Sequence, residues 1–353
     1  MNKKEWELRN CSAVKVFLML FVVAYHCCVF WTGTWFTKDP LLESRTIALI
    51  AKWMNSFHIY GFFLISGYIF FYTVCENDRY KSYGTFLKKK IKRLIIPYIF
   101  TAIIWVIPFS VIFLKLQLGG IVRNYILATA PNQLWFLLVL FWISNIFYIA
   151  NSYIKGFPNA IMILLILFYV VGIYMEGKGC NYFQIFTTFR CAIFFFIGYR
   201  IRQDESDFLY QIPSTVYIII NGLLFAVLCY IDKNDFFLSG VLVQGIEFLL
   251  RIEGAVASFV VLQRIVQRSY MISNRIFKYC IKISMPIYLF HQQLVYISIR
   301  LLNGKISPGL HVVVNFIFVL SISALISSLL LKNRITCFLI GERYSMARKE
   351  RNK

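Results

Sequence analysis

The chain has 353 residues, 59% hydrophobic and 18% aromatic, with 15% charged, a mean hydropathy of +0.67 and a net charge of +21. Soluble domains carry about a quarter charged residues, so the composition excludes an ordinary soluble domain and points to a membrane protein. Nine cysteines without a CxxC pair or a Cys/His cluster at ligand spacing predict neither a disulfide framework nor a metal site.

Ten apolar segments are expected to cross the bilayer, roughly 14–36, 57–75, 94–114, 133–150, 159–175, 182–199, 212–231, 241–262, 283–302 and 310–331. An even number puts both termini on one side. That side then carries 25 Lys/Arg in its tails and loops, and the other side eight. The positive-inside rule makes the termini cytoplasmic, and the charge becomes a topology signal and an attraction for anionic lipid, not for nucleic acid. The expected fold is an all-α polytopic bundle of about ten transmembrane helices in a single domain over 1–353, with a basic cytoplasmic tail at 332–353.

The first segment contains His26 in an uncharged run of 22 residues, Val16 to Thr37. An imidazole at membrane depth is either a proton-handling group or a helix–helix hydrogen-bonding partner. Lys15 precedes it by eleven residues, so the two share a helix face about 16 Å apart, lysine at the inner surface. Trp31 and Trp35 read as outer interfacial anchors, and the run is too long for a cleaved signal peptide. Leu41–Phe57 reads as a short interfacial helix. His58 opens the second segment as a solvated helix end or a binding contact, and Ser66-Gly67 permits close approach of another helix.

The inner loop 76–93 ends in Lys88-Lys89-Lys90-Ile91-Lys92-Arg93. Such a run anchors on anionic lipid or grips a phosphorylated cytosolic ligand, and arginine is the better phosphate fork. Lys88–Lys90 fit the anchor. Pro97, Pro108 and Pro286 are expected to kink their helices. Arg190 has no partner close in sequence and must find one in space. Glu247 and Arg251 read as an i,i+4 ion pair. Tyr288 and His291 share a face in the ninth segment.

Six motifs in order carry a resemblance. Ser12-Ala13-Val14-Lys15 with Val22-Val23-Ala24-Tyr25-His26 resembles the first helix of acyltransferase family three, the bacterial integral-membrane O-acyltransferases. His58…Phe62-Phe63…Ser66-Gly67-Tyr68, Arg93-Leu94-Ile95-Ile96-Pro97-Tyr98, Leu134-Trp135-Phe136-Leu137, Phe196-Ile197-Gly198-Tyr199 and Ile287-Tyr288-Leu289-Phe290-His291 are similar to its later motifs. The resemblance covers about residues 9–300. It departs at Ser12, where many members have an acidic residue.

The resemblance implies a multi-pass protein of the bacterial cytoplasmic membrane that moves an acyl group, acetyl above all, from cytoplasmic acetyl-CoA or another acyl-CoA to a hydroxyl of a surface polysaccharide or its precursor. Acyl-CoA is then a co-substrate and no cofactor is permanently bound. His26 is the expected general base, with Tyr288 or His291 as oxyanion donors. Arg93, Lys15 and Lys92 are expected to hold the donor. His58, Arg190 and Trp135 are expected to hold the saccharide acceptor. Expected partners are membrane lipids, acyl-CoA, the acceptor and polysaccharide-synthesis proteins. A glycan-precursor transporter or flippase without acyl transfer is the alternative.

Overall fold

The computed structural model describes residues 3–33, 39–205, 208–233, 239–268 and 274–344. Trp35 and the end of the basic tail lie outside these residues. Among the described residues all regular structure is helical. Helix α1 is Lys3–Cys28, followed by α2 Arg45–Asn55 and α3 His58–Phe70. Helix α4 is Tyr83–Leu114, α5 is Trp135–Ile149, α6 is Pro158–Gly177 and α7 is Ile185–Gln203. Then come α8 Ser214–Lys233, α9 Ser239–Arg268, α10 Arg275–Leu302, α11 Pro308–Leu330 and the short α12 Arg334–Leu339.

Eight of the described helical stretches are long and apolar enough to cross a membrane, and the chain is an all-α polytopic bundle. The expected eighth and ninth segments are also helical, as α9 (30 residues) and α10 (28 residues), long enough to cross but more polar. The segment expected at the interface is helical, as α2, with Ser44 capping its start by accepting from the Ile47 amide at 3.4 Å. Trp31 departs from expectation. It is buried, and its indole N–H donates to the Leu42 carbonyl at 3.0 Å, so it ties α1 to the α2 connection and is no free interfacial anchor.

Helix α1 runs through the middle, touching α2, α3, α9, α10 and α11. The tightest joint lies between α3 and α7. A Cβ on Gly67 would stand 1.8 Å from the Phe195 carbonyl oxygen, and one on Gly198 1.8 Å from that of Leu64. Two motif glycines, 131 positions apart in the numbering, therefore press each backbone against the other helix. The prolines of α4 are handled by wide turns. The amide before Pro97 reaches five residues back to Ile91, and the amide before Pro108 reaches five back to Ala102. These turns absorb the donors and space that each proline removes.

Candidate active site

Three helices carry a stripe of residues at i, i+3 and i+4 spacing that faces the interior along its length. On α1 these are Ser12, Lys15, Met19, Val22 and His26. On α3, extending past its end, they are Ile59, Phe62, Ser66, Ile69 and Thr73; on α10 they are Ile281, Ser284, Met285, Tyr288 and Gln292. Together they wall two cavities. One, of about 400 Å³, is lined at the N-terminal half of α1 by Lys15, Arg79, Lys89, Lys90 and Arg93, with one carboxylate, Glu342. The other, of about 620 Å³, is lined by His26, His58, Trp135, Arg190 and Glu176 among many amide side chains. Ile59 and Tyr288 belong to both walls, so the cavities adjoin there. The cation-lined cavity lies on the side expected to be cytoplasmic.

His26 lies on the wall of the second cavity, one helical turn from Val22. Its ring stands 5.0 Å from that of His291, centroid to centroid, and 5.0 Å from that of Tyr25. Tyr25 in turn stacks on His58 at 4.6 Å. His58 is buried, not a solvated helix end, and its Nδ1 lies 2.6 Å from the Met54 carbonyl oxygen. His291 is fully buried, with Nδ1 2.8 Å from the Tyr288 carbonyl oxygen. A carbonyl only accepts, so each Nδ1 carries its proton. In the neutral ring Nε2 is then the acceptor in both.

Tyr288 is engaged otherwise than as an oxyanion donor. Its hydroxyl donates to the Gln133 carbonyl. Gln133 bonds the Leu289 carbonyl and Gln293, both at 2.8 Å. The turn before α5 is thereby pinned to α10, which sets Trp135 on the cavity wall. Gln292, one turn beyond Tyr288, lines the cavity beside His26. Periodicity from Tyr288 was the signal for it. Gln133 gave none, because its partners are far away in the chain.

The basic run divides. Lys89, Lys90 and Arg93 face the cavity, while Lys92 does not line it and places its ammonium 5.9 Å from the centre of the Phe338 ring. Lys90 donates to Ser144 at 3.0 Å, and Lys89 lies over Tyr80. Glu342, just beyond α12, is the counter-charge that sequence reading missed. Burial pushes its carboxyl up, opposed by Arg93 and Lys282. Arg190 finds its partner in space: Nη1 is 2.8 Å from Glu176 Oε2. Arg251 pairs with Glu247 as expected and also donates to Tyr169 at 2.8 Å.

The fold defines a multi-pass membrane protein, and the helices leave two adjoining polar cavities between them. A family model described as an acyltransferase domain, acyltransferase family 3, matches residues 11–332, and the chain belongs to that family. The protein is thus a membrane acyltransferase. No curated protein sequence and no solved structure matches the chain.

Proposed function

We propose that the protein is an acyl-CoA-dependent O-acyltransferase, in the first place an O-acetyltransferase, acting on a hydroxyl of a cell-surface polysaccharide or its precursor. It works in the bacterial cytoplasmic membrane with both termini inside and ten crossings. One observation carries this reading. A cation-lined cavity and an amide-lined cavity adjoin at Ile59 and Tyr288, with His26 on the wall of the second. Cations suit the phosphates of CoA, with Arg93 able to fork two oxygens. Amide and aromatic side chains suit a saccharide, and Trp135, His58 and Arg190 stand among them.

The chemistry follows from the arrangement. His26 takes the proton of the acceptor hydroxyl as its oxygen attacks the thioester carbonyl carbon. The tetrahedral intermediate then collapses, the C–S bond breaks, and the CoA thiolate takes the proton back from His26. The balance is one hydroxyl and one thioester in, one ester and one thiol out. His291, with an acceptor Nε2 and a ring 5.0 Å from His26, supports the imidazolium formed between the steps.

The test uses the full chain in proteoliposomes with labelled acetyl-CoA and the de-esterified surface glycan of a strain deleted for the gene. His26→Ala is expected to lose roughly 10²–10⁴-fold in labelled ester while CoA binding persists. Undiminished ester formation in that variant sinks the base assignment. Movement of glycan across the membrane with no ester formed by the wild type supports the transporter instead.

A further inference from the structure

Glu176 sits in the last turn of α6, where the helix's own carbonyls disfavour a carboxylate. It is held there by Arg190 of α7. The two meet because α6 and α7 approach closely at Gly172. A Cβ there would lie 2.7 Å from the Phe186 carbonyl oxygen and 3.0 Å from the Arg190 nitrogen. One turn further along α6, Glu176 and Arg190 face each other on the wall of the amide-lined cavity. The ion pair uses one oxygen and one terminal nitrogen. Glu176 Oε1 and Arg190 Nε are buried without a hydrogen-bond partner among the described residues.

The rim around the pair is held in an uncommon conformation. Ala128, Asn132, Phe183 and Gln184 have φ of 53°, 49°, 52° and 59°, a region that side chains other than glycine avoid. Gln184 Nε2 ties the two rim loops by donating to the Ala128 and Thr129 carbonyls at 2.8 and 2.9 Å. Asn181 Nδ2 donates to Thr187 Oγ1 at 2.7 Å. Strain of this kind persists where surrounding bonds over-determine it, and it clusters at binding sites. A salt bridge serving only to join α6 to α7 has no need of such a rim.

We propose that Glu176 and Arg190 form a clamp for a vicinal diol on the acceptor saccharide. Glu176 accepts a hydrogen bond from one ring hydroxyl while Arg190 donates to the oxygen of its neighbour. Glu176 is then a specificity-determining residue of the outer cavity, selecting hydroxyls at that place. The inference rests on the reading of this cavity as the saccharide site.

The probe is the same de-esterified glycan, as an oligosaccharide fraction, measured both in acyl transfer and in direct binding without donor. Glu176→Gln is expected to raise the acceptor KM and the binding Kd at least about tenfold, the worth of one charged hydrogen bond. The KM for acetyl-CoA and the rate at saturating acceptor stay within about threefold, since that residue lines the amide-lined cavity and not the cation-lined one. Glu176→Gln with Arg190→Gln separates clamp from brace. Removing both charges relieves a purely structural pair, so a brace predicts return of acceptor KM and Kd to wild-type values, and that result overturns the proposal. A clamp predicts that both remain raised. Glu176→Asp, which keeps the charge, serves where the glutamine variants fold poorly and is expected to raise acceptor KM alone; an equal rise in donor KM also overturns it. Loss of transfer by the wild type with Glu176-dependent glycan binding intact refutes the proposed reaction, not the clamp.

Discussion

At the scale of single residues, the deep site is decided by where protons can sit. Two of its histidines spend Nδ1–H on backbone carbonyls, so each offers one acceptor nitrogen and neither needs a charge to be satisfied. Tyr288 spends its proton on the Gln133 carbonyl, so replacing it should loosen the turn that carries Trp135. Glu342 matters at the other end. Among the described residues α1 brings Ser12 and no acid to the cation-lined cavity, and Glu342, from beyond α12, lines it with Lys15 and Arg93. An ionised carboxylate there opposes bound phosphate. Its carboxyl is raised by burial, so it ionises above the usual carboxylate range and is neutral below. Glu342→Gln is therefore expected to bind CoA more tightly than wild type at pH 8, by a few-fold. The gap should close as pH falls through the raised pKa. Calorimetric titration at several pH values checks this, and a gap that widens toward low pH contradicts it.

Among the elements, the joint of α3 and α7 is the least tolerant place in the bundle. Gly67 and Gly198 each meet a carbonyl oxygen of the opposite helix at a distance no Cβ can occupy. Gly67→Ala or Gly198→Ala must part the helices, and overpacking typically costs about 1–3 kcal/mol, occasionally more. The expected outcome is a large loss of folded protein in detergent, read by fluorescence-detected size exclusion, with no selective effect on either substrate. Ordinary retention of both variants would count against the close approach. Helix α4 has a different device, a five-residue reach before each proline. Lys89, Lys90 and Arg93 face one cavity from a helix whose outer face is exposed and apolar.

For the whole molecule, the stripes on α1, α3 and α10 define an axis from the cation-lined cavity to the amide-lined one. The charge distribution predicts which end faces the cytoplasm. Cys180 is exposed in the connection between α6 and α7, on the end expected to be outside. A membrane-impermeant maleimide added to intact cells is expected to label the wild type, and Cys180→Ser should abolish that labelling. Labelling only after permeabilisation reverses the proposed orientation.

Several parts of the architecture were legible in the chain itself because bilayer physics writes them locally. Apolar length marks helices, and a helix period puts Lys15 and His26 on one face. The same period links Tyr288 to His291 and Gln292. Gly67 was recognisable as a packing residue, though its partner Gly198 was not. Other features depend on residues brought from far apart, and no local pattern encodes a distance across a bundle. Glu176 for Arg190, Gln133 for Tyr288 and Glu342 for the cation-lined cavity are of this kind. Lys88 to Lys90 looked alike as a basic run, yet helix rotation sends Lys89 and Lys90 inward and leaves Lys92 against Phe338. By itself, then, the sequence determined that the chain is a membrane bundle, which helix faces are polar, and which family it resembles. Only the tertiary structure decided that those faces enclose two adjoining cavities, because a cavity is what several helices leave between them.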